Sequence, residues 1–345
     1  MLYSKNNRTL GVKVAINFAL IGSGRIGKLH AENLMHHVPN AYLKAIYDPN
    51  LDEEWASSLK VDLLTKNLDE ILNNQNIDAV IISAPSSMHI ELIEIFAKAK
   101  KHIFCEKPIG FEPHKIRKVT NITKNENLIF QVGFNRRYDA NFIKIKKAVS
   151  EKIIGDAQII RITDRDPEAP SLEYVAKSGG IFMDFSIHDF DMARFVSSSE
   201  AVEIYCAGNT LIEPKLKEYN DIDTAISTLK MSNGALCVID NSRQAVYGYD
   251  QRLEVFGSKG SIEAKNNTQT NTVLRNESGF HSEKPYYFFL ERYKDAYIKE
   301  IYEFAKCIVH NKQPCAGGED AAKAVCIAQA AKQSLLENKP IKIVY

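Results

Sequence analysis

The stretch VKVAINFALIGSGRIG, residues 12–27, decides the fold that the sequence predicts. Its mainly apolar first part predicts a buried strand over Val12–Ile21, which leads directly into the glycine pattern of residues 22–27. A helix is expected from Ile26 to about His37. The glycines allow a tight turn, and the first turn of the helix offers free N–H groups to a pyrophosphate. The stretch therefore predicts the strand, turn and helix of a dinucleotide-binding fold.

An acidic residue lies where such a fold needs one. Tyr42–Tyr47 reads as a second strand and is followed by Asp48, twenty-one residues after Gly27. At this spacing a carboxylate binds the adenosine ribose hydroxyls, and it would repel a 2′-phosphate. Pro49 and Asn50 add no cation to accept that phosphate. The spacing therefore favours NAD over NADP.

Strands and helices alternate through the first part of the chain. This alternation predicts a doubly wound parallel sheet, the Rossmann fold, over residues 12–135, with ligands bound beyond the carboxyl ends of its strands. We expect further helices near Leu51–Leu59, Leu68–Asn73, Ile90–Ala99 and Pro113–Lys124, and further strands at Ala79–Ser83, His102–Cys105 and Leu128–Val132.

The pattern changes after residue 135. Residues 136–345 are predicted to form an α+β domain with a large, mostly antiparallel sheet that binds substrate and mediates oligomerisation. Two long helices, Arg292–His310 and Gly318–Glu337, and a short strand at Ile341–Val344 complete the chain. The predicted strands of the sheet are Ile159–Thr163, Val202–Ala207, Thr224–Lys230, Ala235–Asn241 and Gln251–Gly257.

Polar clusters follow three strands of the predicted parallel sheet, where ligands are expected. They are Ala84-Pro85-Ser86 with His89, Glu106-Lys107-Pro108, and Asn135-Arg136-Arg137-Tyr138. Lys107 is the most informative, because a lysine at this edge of the sheet can point its charge at a bound ligand. The alternative for Lys107 is an ordinary exposed surface lysine.

The segment GGIFMDFSIHDFDMARF, residues 179–195, combines apolar and charged residues. Asp184, His188 and Asp191 are spaced at i, i+4 and i+7, so one helix would present them on one side. Simpler interpretations are an N-terminal cap formed by Asp184 or Ser186 and a histidine bonded to a neighbour. A metal site built from Asp184, His188, Asp189 and Asp191 lacks an HExxH or similar spacing, and we expect no metal.

Composition and charge limit the class of partner. The chain has 345 residues and a net charge of +1, which provides no overall field for nucleic acid or an anionic membrane. Six cysteines without a C-x-x-C pair are typical of a reducing compartment. No stretch approaches the roughly 20 apolar residues of a membrane span. We therefore expect a cytoplasmic protein that acts on a small molecule.

Several motifs together resemble a known family. The glycine turn at residues 22–27, the triplet Glu106-Lys107-Pro108, and Asp184 followed by His188 resemble the Gfo/Idh/MocA family, which includes glucose–fructose oxidoreductase-like sugar dehydrogenases. The segment of residues 131–139, the run Arg165-Asp166-Pro167 leading into residues 179–195, and Tyr247-Gly248-Tyr249-Asp250 are similar to the inositol dehydrogenases of that family. The resemblance covers nearly all of the chain after residue 11.

The resemblance implies a reaction and its residues. It implies oxidation of myo-inositol to 2-keto-myo-inositol (scyllo-inosose), with NAD as the cofactor that accepts the hydride. His188 would remove the hydroxyl proton, Lys107 would stabilise the developing alkoxide, and Asp184 would orient either of them. Substrate-binding positions are matched by Arg136, Asp166 and Tyr249. Cofactor-binding positions are matched by Gly22, Ser23, Gly24, Arg25, Ile26, Gly27, Asp48, Ala84, Pro85, Ser86, His89, Glu106 and Lys107.

Other functions stay open at this point. A relative acting on another inositol isomer or sugar shares most of these motifs. A glycosidase that uses bound NAD as a transient oxidant would share them too, and would give product without net NADH. A nucleotide sensor without activity is a further alternative, although the sequence carries every residue of the acid–base set. By resemblance we also expect a homotetramer.

Overall fold

Six parallel strands form the first sheet, in the order β3-β2-β1-β4-β5-β6. The computed structural model describes residues 15–345, so residues 1–11, and residues 12–14 at the predicted start of the first strand and domain, lie outside the described part. The elements of this part are β1 (Ile16–Ile21), α1 (Arg25–His37), β2 (Ala41–Tyr47), α2 (Glu53–Ser58), β3 (Leu63–Thr65), α3 (Asp69–Leu72), β4 (Ala79–Ile82), α4 (His89–Lys98), β5 (His102–Cys105), α5 (Pro113–Asn125) and β6 (Phe130–Val132).

Both faces of this sheet are buried, which explains its continuous apolar strands. Helices α4 and α5 pack together on one face, while α1 lies on the other beside α11, a helix from the far end of the chain. Phe304 of α11 contacts Phe18 and Phe104, with ring centroids 6.0 and 5.9 Å apart. The C-terminal part of the chain thus completes the core of the first sheet. The predicted division at residues 135 and 136 stays a prediction.

Seven strands form the second sheet, in the order β12-β11-β7-β10-β9-β8-β15. Neighbouring strands are antiparallel except β7 and β10, which run parallel. The elements of this part are α6 (Ala140–Ser150), β7 (Ala157–Arg165), α7 (Leu172–Ser178), α8 (Ile181–Asp184), α9 (Ile187–Ser197), β8 (Ala201–Asn209), β9 (Thr224–Met231), β10 (Leu236–Ser242), β11 (Asp250–Gly257), β12 (Gly260–Ala264), β13 (Val273–Asn276), β14 (Gly279–Ser282), α10 (Phe289–Arg292), α11 (Lys294–His310), α12 (Gly318–Glu337) and β15 (Ile341–Lys342).

The second sheet has one covered face and one open face. Helices α6, α9 and α12 pack on the covered face. Ile159, Ile226, Leu236 and Phe256 lie exposed on the open face. The predicted fold class, a doubly wound parallel sheet joined to an α+β part with a large, mostly antiparallel sheet, is confirmed. No helix within residues 15–345 has both the length and the apolar character needed to cross a membrane.

The single helix predicted over residues 179–195 is wrong. The chain forms α8 and α9 instead, separated by Phe185 and Ser186. Ser186 is buried at this break, and its Oγ donates to Asn241 Oδ1 on β10 at 2.7 Å. At this point the chain is held by a hydrogen bond to the sheet, and the helix is interrupted. The i, i+4, i+7 stripe is therefore broken, and Asp191 leaves the side that carries Asp184.

Candidate active site

The glycine turn after β1 has the shape that a pyrophosphate requires. Gly22 adopts φ +95°, and a side chain on Gly27 would place its first carbon 2.1 Å from the Gly22 carbonyl oxygen. At Gly24, by contrast, an added carbon would meet no described atom within 4 Å. Helix α1 begins here with no side-chain cap and no acidic residue in its first turn. Its free N–H groups therefore fit an anionic pyrophosphate.

Asp48 lies at the carboxyl end of β2, beside this turn. Its Oδ2 accepts the Ser23 N–H at 2.6 Å and the Ser23 hydroxyl at 2.9 Å, and its Oδ1 accepts Asn50 N–H at 2.8 Å. Arg25 and Ile26 follow on the exposed start of α1. The structure thus brings the predicted carboxylate to the glycine turn, and its remaining lone pairs can accept ribose hydroxyls.

The loops after β4 and β5 are tied together by His89. This buried ring lies with Nε2 2.8 Å from the Ala84 carbonyl oxygen and Nδ1 2.8 Å from the Pro108 carbonyl oxygen. Pro85 is exposed and Ser86 half-buried at the same edge. His89 therefore acts through the main chain, by fixing the loops whose other members can meet a cofactor.

Lys107 reaches from the first sheet to helix α8. Its Nζ donates to the Asp184 carbonyl oxygen at 2.8 Å and lies 3.7 Å from Asp184 Oδ1. The structure therefore brings together the lysine after β5 and the start of the 184–188 segment, as the sequence predicts. Of the two partners proposed for Asp184, its carboxylate is near Lys107, and no hydrogen bond to His188 is formed.

Two residues that sequence reasoning missed bind the Asp184 carboxylate. Tyr174 donates its hydroxyl to Oδ1 at 2.7 Å, and the buried Arg243 donates NH1 to Oδ2 at 3.2 Å. Burial alone would raise the pKa of Asp184, but Lys107 and Arg243, together with the Tyr174 hydroxyl, lower it below its ordinary value. Asp184 is thus a carboxylate held ionised by surrounding donors.

His188 is half-buried at the start of α9, with its ring edge toward Phe134. Its Nδ1 is buried and has no hydrogen-bond partner among residues 15–345. Burial, followed by the positive charges of Lys107 and Arg136, lowers the pKa of His188 well below its ordinary value. A neutral imidazole can accept a proton from a ligand.

Arg136 and Tyr249 form part of a buried network beneath this cluster. Arg136 donates NH2 to Asp164 at 2.6 Å and NH1 to Asp189 at 2.7 Å, and its NH2 also reaches the Tyr249 hydroxyl at 3.3 Å. Asn241 donates to the other Asp189 oxygen at 2.8 Å. The two residues predicted to bind substrate thus already have protein partners.

Asp166 follows β7 directly beside Arg243, which follows the parallel strand β10. The Asp166 N–H donates to the Ser242 carbonyl at 3.0 Å, and Asp166 Oδ2 lies 4.0 Å from Arg243 NH1. Burial and then the charge of Asp164 raise the pKa of Asp166 to about 7. Had the parallel pairing of β7 and β10 been predicted, the common edge of their carboxyl ends would have indicated Arg243.

The cluster can transfer a proton and stabilise an oxyanion. Lys107, Asp184 and Arg243 supply fixed charges, and His188 supplies a neutral base. Asp189 and Asp191, which a metal site would need, are instead bound to Arg136 and Arg137. The donor set is therefore typical of acid–base chemistry on an alcohol.

The comparisons with known proteins agree with this geometry. Residues 16–134 match the family model of the oxidoreductase family with an NAD-binding Rossmann fold, GFO/IDH/MocA, and residues 142–263 match the GFO/IDH/MocA C-terminal domain. The chain is 46% identical to the uncharacterized oxidoreductase YrbE of Bacillus subtilis, covering 94% of this chain and 95% of that protein. It is 44% identical to myo-inositol 2-dehydrogenase of Thermotoga maritima, covering 95% and 98%.

A solved structure with both ligands is also similar. It is scyllo-inositol dehydrogenase from Lactobacillus casei with bound NAD(H) and scyllo-inositol. The TM-score is 0.89 and the identity 30%, over 95% of this chain and 99% of that one.

Proposed function

The chain belongs to the Gfo/Idh/MocA family of NAD-binding oxidoreductases, and from this premise we propose that it oxidises myo-inositol to 2-keto-myo-inositol, also called scyllo-inosose. The enzyme class is NAD-dependent oxidoreductase acting on a CH–OH group. The observation that carries the proposal is the meeting of Lys107 with Asp184 beside a neutral His188, beyond the carboxyl edge of the parallel sheet.

His188 acts as the general base on the hydroxyl that is oxidised. Because its pKa is lowered, the ring is neutral at physiological pH and can take the hydroxyl proton. Lys107 donates to the same oxygen, and its charge stabilises the alkoxide as it forms. Bound NAD supplies the hydride acceptor. Asp184 keeps Lys107 directed at the site through its carbonyl oxygen.

The polar walls of the cleft suit a ring with hydroxyls on every carbon. Asp166 and the Tyr174 hydroxyl oxygen offer acceptors on the side formed by α7 and β7, because the Tyr174 hydroxyl hydrogen is already donated to Asp184. We propose that Arg136 and Tyr249 act from below, by fixing Asp164 and Asp189 under the pocket. A substrate bound in the wrong orientation would leave these groups unpaired, which costs affinity.

We propose that the cofactor is bound by the glycine turn at residues 22–27, by Asp48 and by the loops that carry Ala84 and Glu106. Support comes from the open space over Gly24, the uncapped start of α1 and the carboxylate at the end of β2. His89 contributes by holding these loops together.

A second candidate substrate is scyllo-inositol, favoured by the similarity to the Lactobacillus casei enzyme. The isomers differ in the orientation of a hydroxyl, so the same acid–base set would serve both. An NAD-dependent glycosidase without net redox change is the remaining alternative, since it would use the same cofactor site.

Steady-state rates with a panel of inositol isomers, sugars and glycosides, each with NAD and with NADP, test the proposal. We expect NADH absorbance with myo-inositol and NAD, and identification of the ketone by NMR. If scyllo-inositol or a sugar is oxidised and myo-inositol is not, that compound takes the place of myo-inositol as the proposed substrate. Glycoside cleavage without NADH would replace the reaction.

We also propose that the chain assembles as a homotetramer. Support comes from the open face of the second sheet, where Ile159, Ile226, Leu236 and Phe256 are exposed side chains. Burial of such apolar side chains against a second copy would be favourable. Light scattering of the purified protein measures the mass. The cytoplasmic location stays a prediction from the sequence.

A further inference from the structure

Three ionisable side chains meet in the interior behind Lys107, outside the set used above for proton transfer. They are His30 of α1, Glu106 after β5 and Glu300 of α11, and one ligand atom of each lies within 4.8 Å of the others. His30 and Glu300 are fully buried, and the Glu106 side chain is 13% exposed. Groups this polar are rare in a dry interior unless they have partners.

Only one pair of this triad is hydrogen-bonded. His30 Nε2 lies 2.7 Å from Glu106 Oε1. Both Glu300 carboxyl oxygens and His30 Nδ1 have no partner among residues 15–345. Two carboxylates this close cannot both be ionised at low cost. Burial, followed by the charge of Glu106, raises the pKa of Glu300 well above its ordinary value, which favours the protonated form of Glu300.

A divalent cation does not fit this geometry as it stands. Metal–nitrogen and metal–oxygen distances of about 2 Å would separate tetrahedral ligand atoms by about 3.3 Å. His30 Nε2 and Glu106 Oε1 are closer than that, at hydrogen-bonding distance. The pair is thus a direct contact between an imidazole and a carboxylate.

The contact connects the cofactor helix to the Lys107 loop. His30 lies three residues after Gly27 of the pyrophosphate turn, and Glu106 immediately precedes Lys107. Glu106 Oε2 also accepts the Lys107 main-chain N–H at 3.3 Å. A side chain on Gly133 would come within 2.9 Å of the Glu106 carboxyl group, so the glycine gives this carboxylate its place.

We propose that His30 is a positioning residue that holds Glu106 and thereby fixes the loop of Lys107 relative to the helix that receives the pyrophosphate. Glu300 completes the arrangement as a fully buried side chain packed beside the His30–Glu106 contact. This inference rests on the role of Lys107 in the proposed function. It adds that the position of the lysine is set from the cofactor helix, on the side opposite Asp184.

A matched pair of substitutions tests the contact. In His30→Gln the amide nitrogen reaches about as far as Nε2 and can still donate to Glu106, whereas in His30→Asn it falls short. Hydrogen exchange of the full-length protein, with and without NAD, is followed in the peptide of residues 104–110. We expect exchange about tenfold faster in His30→Asn and within about twofold of the wild type in His30→Gln.

The control is His37→Asn, an exposed position on the same helix. It should leave the exchange of this peptide unchanged, as should residues 224–242 of the second sheet in every variant. Equal exchange in His30→Asn and the wild type would overturn the proposal. Faster exchange spread over the whole chain would overturn it too, because that would indicate a general structural role.

Kinetics provide a readout of the chemical step. We expect His30→Asn to lower kcat about tenfold with little change in the KM for NAD, and to raise the primary isotope effect with a carbon-deuterated polyol. His30→Gln should recover most of kcat. If the wild type oxidises no polyol of the panel, the proposed function fails, and the exchange experiment alone decides the positioning role.

Glu300→Gln tests the neutral state of the third member. Glutamine has the shape of the protonated carboxyl group, so kcat and the exchange of residues 104–110 should stay within about twofold of the wild type. A loss equal to that of His30→Asn would overturn the neutral assignment. Metal analysis of the purified protein provides a further check, since one bound ion per chain, lost in His30→Asn, would overturn the proposal.

Discussion

Neighbouring polar residues in the first turns of α9 differ in how completely they are paired. Asp189 and Asp191 are buried and bonded to arginines, Asp191 through both oxygens to Arg137 at 2.6 and 2.7 Å. His188, one residue before Asp189, has an unpartnered Nδ1 and a half-exposed ring. The same short segment therefore contains structural ion pairs and a base that is free to react.

Whether a polar side chain has hydrogen-bond partners distinguishes structural residues from reactive ones in this segment better than its polarity does. A buried carboxylate with two hydrogen-bonded arginine nitrogens has its charge compensated, and its burial keeps it out of reach of a ligand. The other ring nitrogen of His188, Nε2, has no hydrogen bond within residues 15–345, and it is the one that can accept from a substrate because Nδ1 is buried. Substitution of a paired aspartate should consequently lower stability, whereas substitution of His188 should lower the rate of the reaction.

The largest effect is expected from His188→Ala, which removes the proposed base. We expect kcat for polyol oxidation to fall about 10²- to 10⁴-fold, because general-base catalysis contributes about that much. The NADH absorbance rate measures kcat, and titration calorimetry measures NAD binding, which should not change. His37→Ala, an exposed histidine of α1, is the control. Turnover within a few-fold of the wild type would remove His188 from the mechanism.

Asp191→Ala should act on stability instead. It leaves the buried Arg137 without its bidentate partner, although Asp320 remains 2.9 Å from its NH2. We expect the free energy of unfolding to fall by about 3 to 5 kcal/mol, as when one partner of a buried ion pair is removed. Urea unfolding measures this, and kcat per folded molecule should stay near the wild-type value. A large loss of kcat with unchanged stability would mean that Asp191 takes part in the reaction and is not a structural residue.

Much of the fold could be predicted because local signals and global fold agree. The strand–glycine–helix stretch, Asp48 and the apolar strands at residues 79–83 and 102–105 each indicate the same parallel sheet. Shorter or less regular elements were missed. Strand β3 has only three residues, and helix α6 directly follows Asp139, whose side chain accepts the N–H groups of Asn141 and Phe142.

The site was predicted where residues follow strands and missed where topology brings distant segments together. Lys107, Asp184 and His188 lie in recognisable motifs, and the structure places Lys107 against Asp184. Arg243 was missed because its position depends on the parallel pairing of β7 with β10, which an antiparallel pattern hides. Glu300 was missed because α11 reads as an ordinary amphipathic helix, and only its packing beside α1 brings that carboxyl group to Glu106.

Of the three substitutions, Arg243→Gln should have the smallest effect. That effect should combine a loss of activity, as for His188→Ala, with a loss of stability, as for Asp191→Ala. Arg243 is buried like Arg137, yet its Nε and NH2 have no partner among the described residues, and only NH1 binds Asp184. Removing the guanidinium also removes those unpaired donors, so we expect the loss of stability at neutral pH to be smaller than that caused by Asp191→Ala. Loss of one charged hydrogen bond to Asp184 should lower kcat/KM about tenfold.

The effect of Arg243→Gln on the free energy of unfolding should depend on pH. Arg243 helps to lower the pKa of Asp184, so the ionised carboxylate contributes stability above its unfolded pKa, and that contribution is lost as pH falls through the folded pKa. Without Arg243 the folded pKa of Asp184 rises, so the contribution is smaller and is fully lost at a higher pH. Urea unfolding of both proteins from pH 8 down to about pH 2 measures the difference, with Arg243→Lys as the variant that keeps the charge. At low pH Asp184 is protonated in both proteins, so its charge stabilises neither. The difference in free energy of unfolding between Arg243→Gln and the wild type should therefore be greatest at neutral pH and should shrink toward acid. A difference independent of pH, with kcat/KM unchanged, would mean that Arg243 is a structural residue like Arg137 and that Asp184 is kept ionised by Lys107 and Tyr174 alone.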